Sequence, residues 1–444
     1  MTRRRPSYFR EKLSGEDLKE AWALLADADR LEGFKAIDRT EAEEYFLGLN
    51  AQDQAEIILG LSERERRLLM RLLAPDDAAD VIQRAHADQR EFLLNLLDDS
   101  THREVVALLA YAEDEAGGLM NPRYIRLRPD ISVDEAISYL RKQTQEHTKA
   151  TYYAYVLDSE QHLVGVISFR ELLSSQPEKK VQEVMKTELV TASEKMDQEE
   201  VSRLFAHHDL MAIPVVDDAG HMKGIVTVDD IIDVVREEAT EDIQKIGGSE
   251  ALDEPYLKIR FLKMIRKRAS WLVLLFFGEM LTATAMGFYE NSIAKAVVLA
   301  LFIPLIISSG GNSGSQASTL VIRAMALGEI QLRDWWKILF REISTGLVLG
   351  GILGTIGLTR ILLWPWKTKV YGEHFVFVGL TVALSLIGVV LWGTIAGATL
   401  PLLLKRLGFD PAAASAPLVA TLVDVTGLVI YFTTASLFLG HIIL

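Results

Sequence analysis

The chain has 444 residues, no cysteine and a formal net charge of −14. Its length exceeds what one core needs, and the missing thiols exclude disulfides, thiolate metal sites and cysteine nucleophiles. The charge is uneven: residues 1–268 carry 53 acidic against 37 basic side chains, whereas residues 269–444 carry eight against ten. A strongly acidic soluble region therefore precedes a nearly uncharged apolar one. The acidic part disfavours nucleic acid, whose binding needs phosphates neutralised by Lys and Arg, and favours cations.

The start, MTRRRPSYFREKL, is basic but lacks the apolar stretch and cleavage site of a secretory signal. Membrane insertion is therefore expected from later helices, with the first ~250 residues cytoplasmic. Up to about Gly117 the apolar spacing has the period of a helix, with breaks at Asn50, Ser62, Pro75 and Asp88. This predicts an all-helical, superhelical domain of short stacked hairpins over 1–117.

Two similar units follow, expected over 118–182 and 183–240. Aligning Gly165 with Gly224 matches YVLDSEQHLVGVISFRELL to PVVDDAGHMKGIVTVDDII almost position by position, which marks an internal duplication. The strand, Asp-containing turn, second strand and helix start recur in order, and this pattern resembles the CBS domain pair. The resemblance implies an α/β regulatory module of a kind that often binds adenine nucleotides or cations.

Residues 241–268 read as a linker helix interrupted at Gly247 and Gly248, ending in the basic flank Lys263, Arg266, Lys267 and Arg268. Five apolar segments then follow at about 270–289, 294–325, 338–363, 375–404 and 412–443. Each is long enough to cross ~30 Å of hydrocarbon. An all-α membrane domain over 269–444 is expected. Lys and Arg concentrate before the first span, around Arg333, Lys337 and Arg341, and at Lys405 and Arg406, which places the N-terminus in the cytoplasm and the C-terminus outside.

Three polar features stand out in the spans. In PLIISSGGNSGSQAS, Pro304, Gly310, Gly311 and Gly314 predict a departure from helix at membrane depth, lining a cavity or ion site with Asn312 and Gln316; the alternative is a close helix crossing built on small residues. Asp424 sits near the middle of the last span, where an aspartate costs about 2.5–3.5 kcal/mol. Thr421, Thr426 and carbonyls freed by Pro417 would complete a hard-cation site, or the threonines would hydrogen-bond a silent packing aspartate. Glu279, mid-span in LLFFGEMLTATAM, is either a second pore or relay carboxylate or an acid paired with a neighbouring helix.

With DPAAASAPLVATLVDVTGLVIYF added, these features resemble the MgtE magnesium channels along essentially the whole chain. The resemblance implies a homodimeric, Mg2+-selective channel in the cell membrane that takes up magnesium and closes when internal Mg2+ is ample. It places the pore ion at Asp424 with Ala420 and Asn312. Where the family often has an asparagine before the proline of the last helix, this chain has Ala416. It also implies regulatory Mg2+ ligands at Glu44, Asp76, Asp80, Glu199, Asp209, Asp230, Asp233, Glu238, Glu241 and Asp242. From spacing alone Asp76/Asp80 and Asp230/Asp233 read rather as first-turn acids favoured by the helix dipole. The CBS resemblance adds ATP contacts at Tyr153, Tyr155, Arg170 and Glu171. A cation/H+ or cation/Na+ coupled carrier and a membrane-bound sensor are the competing readings. No phosphate loop, HExxH or nucleophile elbow suggests an enzyme.

Overall fold

The computed structural model describes residues 14–143, 152–252, 256–257, 259–290 and 297–439. The basic N-terminal stretch, Lys295 and the outer ends of the second and fifth expected spans lie outside the described residues. The chain divides into two compact units, Met1–Val235 and Arg236–Leu444.

The first unit begins with eight short helices: α1 (Gly15–Ala21), α2 (Asp27–Ala36), α3 (Arg39–Leu47), α4 (Ala51–Gly60), α5 (Glu63–Met70), α6 (Pro75–Arg84), α7 (Ala87–Leu94) and α8 (Asp99–Leu108). Their starts are set locally. Asp38, Asn50 and Asp98 accept backbone N–H groups as N-caps, Ser62 forms a capping box with Glu65, and Pro75 opens α6. The break expected at Asp88 falls two residues earlier, at His86, leaving Asp88 in the first turn of α7. Phe46, Ile58, Met70, Ile82 and Leu93 form the spine of the core, and α6 packs on both α4 and α8. Beside it, Arg30 Nη1 donates to Asp53 Oδ1 at 2.8 Å, and Trp22 Nε1 donates to Asp53 Oδ2.

The duplicated units fold alike. One contains β1 (Arg126–Leu127), α9 (Val133–Gln143), β2 (Tyr153–Leu157), β3 (Leu163–Ser168) and α10 (Phe169–Ser174). The other contains β4 (Ala192–Ser193), α11 (Gln198–His208), β5 (Ala212–Val216), β6 (Met222–Thr227) and α12 (Val228–Ile246). Each sheet pairs its first two strands in parallel and the last two antiparallel. Val156 opposes Gly165 and Val215 opposes Gly224, each just before a bulge, so the sequence alignment and the strand register agree. The turns meet across the pair, where His162 and His221 stack at 4.4 Å. The apolar core of the helical part continues into the second repeat through Val201, Phe205, Ile213 and Ile231, which brings α6 close to the start of α12.

In the second unit, the expected linker helix over 241–268 is two pieces. Residues 241–246 finish α12, and residues 261–268 are already the first turns of α13 (Phe261–Phe288). Gly248, at φ +76°, turns the chain between them. Then come α14 (Ile303–Ala326), α15 (Trp335–Leu363), α16 (Phe375–Arg406) and α17 (Ala416–Leu439). Among the described residues, five helical segments are long and apolar enough to cross a membrane: Phe261–Phe288, Val297–Ala326, Leu332–Leu363, Phe375–Arg406 and Ala416–Leu439. α16 lies at the centre and packs on α14, α15 and α17, while α13 packs on α17.

The departure from helix expected at the glycines of the second span does not occur. The chain turns just before Pro304, and α14 then runs unbroken, with Pro304 in its first turn where the missing N–H costs nothing. The glycines serve a helix crossing instead. A Cβ on Gly314 would lie 2.9 Å from Gly393 O, and one on Gly397 only 2.1 Å from Gly314 O. Small residues let these backbones touch. Pro417 likewise stands in the first turn of α17 and frees no mid-helix carbonyl.

Candidate ion site and acidic cluster

The membrane site is built where α13, α14 and α17 meet. Gly278 of α13 leaves room for Thr421, whose Cγ2 sits 2.5 Å from where a glycine Cβ would be. Gly311 of α14 faces Ala420 at 3.4 Å and Asp424 Oδ1 at 4.0 Å in the same sense. Ala420 and Asp424, one turn apart on α17, thus share a face, and the exposed Asn312 follows Gly311, its Nδ2 3.4 Å from Ser308 Oγ. Thr426 does not serve Asp424: its hydroxyl donates to Leu422 O and accepts from Trp392 Nε1. The charged neighbour of Asp424 is Glu279, which follows Gly278 on α13 at the contact with α17. Behind the site, Ser315 and Ser318 of α14 donate to the carbonyls of Ala416 and Ala414, fixing the start of α17.

At the end of α12, Lys245 Nζ lies 2.6 Å from Asp410 Oδ2 and also holds Glu241. Asp410, which caps the turn before α17, carried no signal in the sequence that would separate it from other loop acids. Ile246 inserts among Ile322, Ala412 and Ala414. Glu238 and Asp242 lie on the same helix as Glu241, half-buried.

In the first unit, Asp76 and Asp230 come together. Burial, then Asp230, then Asp77 push the Asp76 carboxyl well above the usual range. Burial raises Asp230 to about 7, with Asp229 and Asp77 adding repulsion, although Thr227 hydrogen-bonds to its carboxylate at 2.6 Å. Asn121 Nδ2 donates to Asp76 Oδ1 at 3.1 Å. The cluster is four acids from two Asp-Asp pairs. Asp77 and Asp229 were not singled out from the sequence, though the doublets were visible there. Asp80 and Asp233 lie exposed one turn farther along their helices. The remaining expected ligands are dispersed: Glu44 is exposed on α3, Glu199 pairs with Arg203, and Asp209 closes α11 in the left-handed conformation. Among the described residues no three His, Asp or Glu side chains are grouped tightly enough to hold a metal ion.

Residues 303–434 match the family described as divalent cation transporter (MgtE), residues 13–114 match the MgtE intracellular N domain, and residues 116–178 and 181–237 match CBS domains. The magnesium transporter MgtE of Thermus thermophilus is 38% identical over 432 residues, which is 97% of this chain and 94% of that protein. The chain belongs to the MgtE family. The MgtE of Enterococcus faecalis is 30% identical over 97% of this chain and 99% of its own. A solved cytosolic domain of the Mg2+ channel MgtE in complex with ATP is 37% identical, with a TM-score of 0.47, over 50% of this chain and 91% of that one. As a member of the MgtE family the chain is a membrane transporter and not an enzyme; an inosine-5'-monophosphate dehydrogenase of Aquifex aeolicus aligns with only 27% of it.

Of the nucleotide contacts expected in this MgtE chain, Tyr155 is misplaced. Its side chain is fully buried in a cluster with Leu157, Met222 and Ile225, and edge-on to Tyr124, so it presents nothing to a ligand. Tyr153 is half-buried, and Arg170 is exposed in the first turn of α10. Glu171 is occupied: it closes the capping box with Ser168 and pairs with Lys186 at 2.8 Å.

Proposed function

We propose that the protein is a Mg2+-selective channel for magnesium uptake, closed by Mg2+ binding to its cytosolic helical and CBS parts. The observation that carries the pore reading is Asp424 at membrane depth, on one face with Ala420 and opposite the backbone of Gly311. A carboxylate there attracts a divalent ion without stripping its water, which suits Mg2+ because it dehydrates reluctantly. The relatives named magnesium transporter support the choice of ion. As a homodimer, the protein would present two copies of Asp424 to one ion, with the N-terminus in the cytoplasm. Reconstituted Mg2+ flux tests this reading: Asp424→Asn should abolish uptake with folding intact, and unchanged uptake would sink it.

The acid cluster supports the regulatory part. Asp76, Asp77, Asp229 and Asp230 repel when ionised, and Mg2+ would relieve that repulsion. α12 carries Asp230 in its first turn and, near its end, Lys245, which pairs with Asp410. Such a two-state element is shifted by whichever ligand prefers one state. Flux that ignores internal Mg2+ would refute it. ATP binding at Tyr153 and Arg170 is a further element of the proposal, to be checked by calorimetry with ATP against Arg170→Ala.

The adjacency of Glu279 and Asp424 favours one second reading, a proton-coupled carrier. Single-channel Mg2+ currents reject the carrier; saturating flux that moves protons, without unitary currents, rejects the channel.

A further inference from the structure

We propose that Glu279 is a second carboxylate of the transported-ion site, acting with Asp424 on the same cation. The inference rests on the ion-site reading of Asp424 given above and adds a residue on a different helix.

The argument starts from where Glu279 stands. α13 has no buried residue, and the side chains flanking Glu279 are exposed apolar groups: Phe276, Phe277, Met280 and Leu281. Those four suit hydrocarbon. A carboxylate at that depth does not, unless it faces water, protein or a cation. No basic residue of its own helix can neutralise it, because the nearest, Arg268, lies eleven positions and ~16 Å earlier along the axis. The partner it does have is another carboxyl, that of Asp424.

The helix contact makes that pairing a built one. Gly278, the residue before Glu279, lets α13 approach until Thr421 fills the space of its missing side chain. A side chain at 278 would meet the Thr421 methyl, one turn before Asp424. Gly311 of α14 also faces this stretch of α17, 3.4 Å from Ala420 and 4.0 Å from Asp424 Oδ1 as measured from the position of a Cβ. Two carboxylates so near each other repel unless positive charge lies between or beside them. The site already proposed to take a divalent cation is therefore charged from two helices of one protomer. A hydrated Mg2+ binds through one or two carboxylates and its own water, and this pair matches that demand.

Neutral Glu279→Gln keeps the shape and can still donate a hydrogen bond to Asp424, so packing survives while charge is lost. In proteoliposomes holding the full chain, Glu279→Gln should raise the half-saturating Mg2+ concentration about tenfold, leave maximal flux within about twofold, and admit more Na+ relative to Mg2+. Glu279→Asp, which restores the charge, should recover most of the Mg2+ affinity. A purely structural role would not divide affinity from maximal flux in this way. If both variants superimpose on the natural protein while Asp424→Asn is dead, Glu279 is no part of the site and the ion-site reading stands. If Asp424→Asn also transports normally, that reading fails and carries this one with it. Failure of aspartate to recover what glutamine loses likewise overturns the proposal.

Discussion

Lys245 and Asp410, 165 positions apart in sequence, meet as an ion pair at 2.6 Å. Partial burial opposes the ammonium, but its hydrogen bonds to Asp410 and Glu241 outweigh that and hold its pKa above the ordinary lysine value. With side chains 29% and 39% exposed, the pair is partly screened by solvent. A double-mutant cycle of Lys245→Ala and Asp410→Ala on thermal stability should return a coupling of about 1 kcal/mol. Additive effects would mean that the contact contributes nothing to docking the end of α12.

Gly248 gives a sharper test of the same region. A Cβ there would stand 2.9 Å from Pro417 Cγ and 3.0 Å from Trp271 on a backbone with φ +76°. Gly248→Ala should destabilise the protein by about 1–3 kcal/mol. Gly287→Ala, where nothing lies within 4 Å, should leave the melting temperature unchanged or raised. Equal behaviour of the two in a detergent melting assay would remove Gly248 from the contact.

The crossing of α14 and α16 has no tolerance for added volume. Gly397→Ala sets a methyl against Gly314 O and Gly393→Ala against Gly310 O, so each should cost ~1–3 kcal/mol or more and lower the yield of monodisperse protein. Gly351→Ala, on an open face of α15, is the control. A normal elution profile for Gly397→Ala would contradict the observed crossing.

The acid cluster predicts a pH dependence with a definite sign. Asp230 is raised to about 7 by burial, and Asp76 is raised as well, whereas unfolded aspartates titrate near 4. The folded state without cation therefore binds more protons. Its stability from these groups is fully present below about pH 4 and is lost as the pH rises through about 7. Mg2+ needs the ionised forms, so its affinity should climb between pH 6 and pH 8, by up to about tenfold for each proton released per pH unit. Calorimetry in buffers of different ionisation heat measures that release. Asp230→Asn should stabilise the cation-free protein and remove much of the Mg2+ effect; affinity independent of pH would dissociate the cluster from sensing.

Much of the architecture was legible because local chemistry carries it. The caps at Asn50 and Ser62, the proline at 75 and the matched glycines at 165 and 224 set helix starts and strand registers with near neighbours alone. Span positions followed from apolar length. In the second span the sequence leaves a break and a close helix crossing both open, because Pro304 and three glycines look alike whether a helix opens or another helix approaches. What decides is the facing pair Gly393 and Gly397, some eighty positions away. Tyr155 shows the same limit at a smaller scale: strand alternation puts Tyr153 and Tyr155 on one side but cannot say how deeply each is covered.

By itself the sequence determined the order of parts, the acidic character of the first 268 residues, the duplicated α/β unit, the five apolar helices and the unusual placing of Asp424 and Glu279. These follow from composition and short-range periodicity, which need no partner. The tertiary structure alone decided that Asp76 meets Asp230, that Lys245 meets Asp410, and that Glu279 and Asp424 stand side by side. Each of those is a contact between distant segments, whose charges act on one another only once helix packing has brought them within a few ångströms.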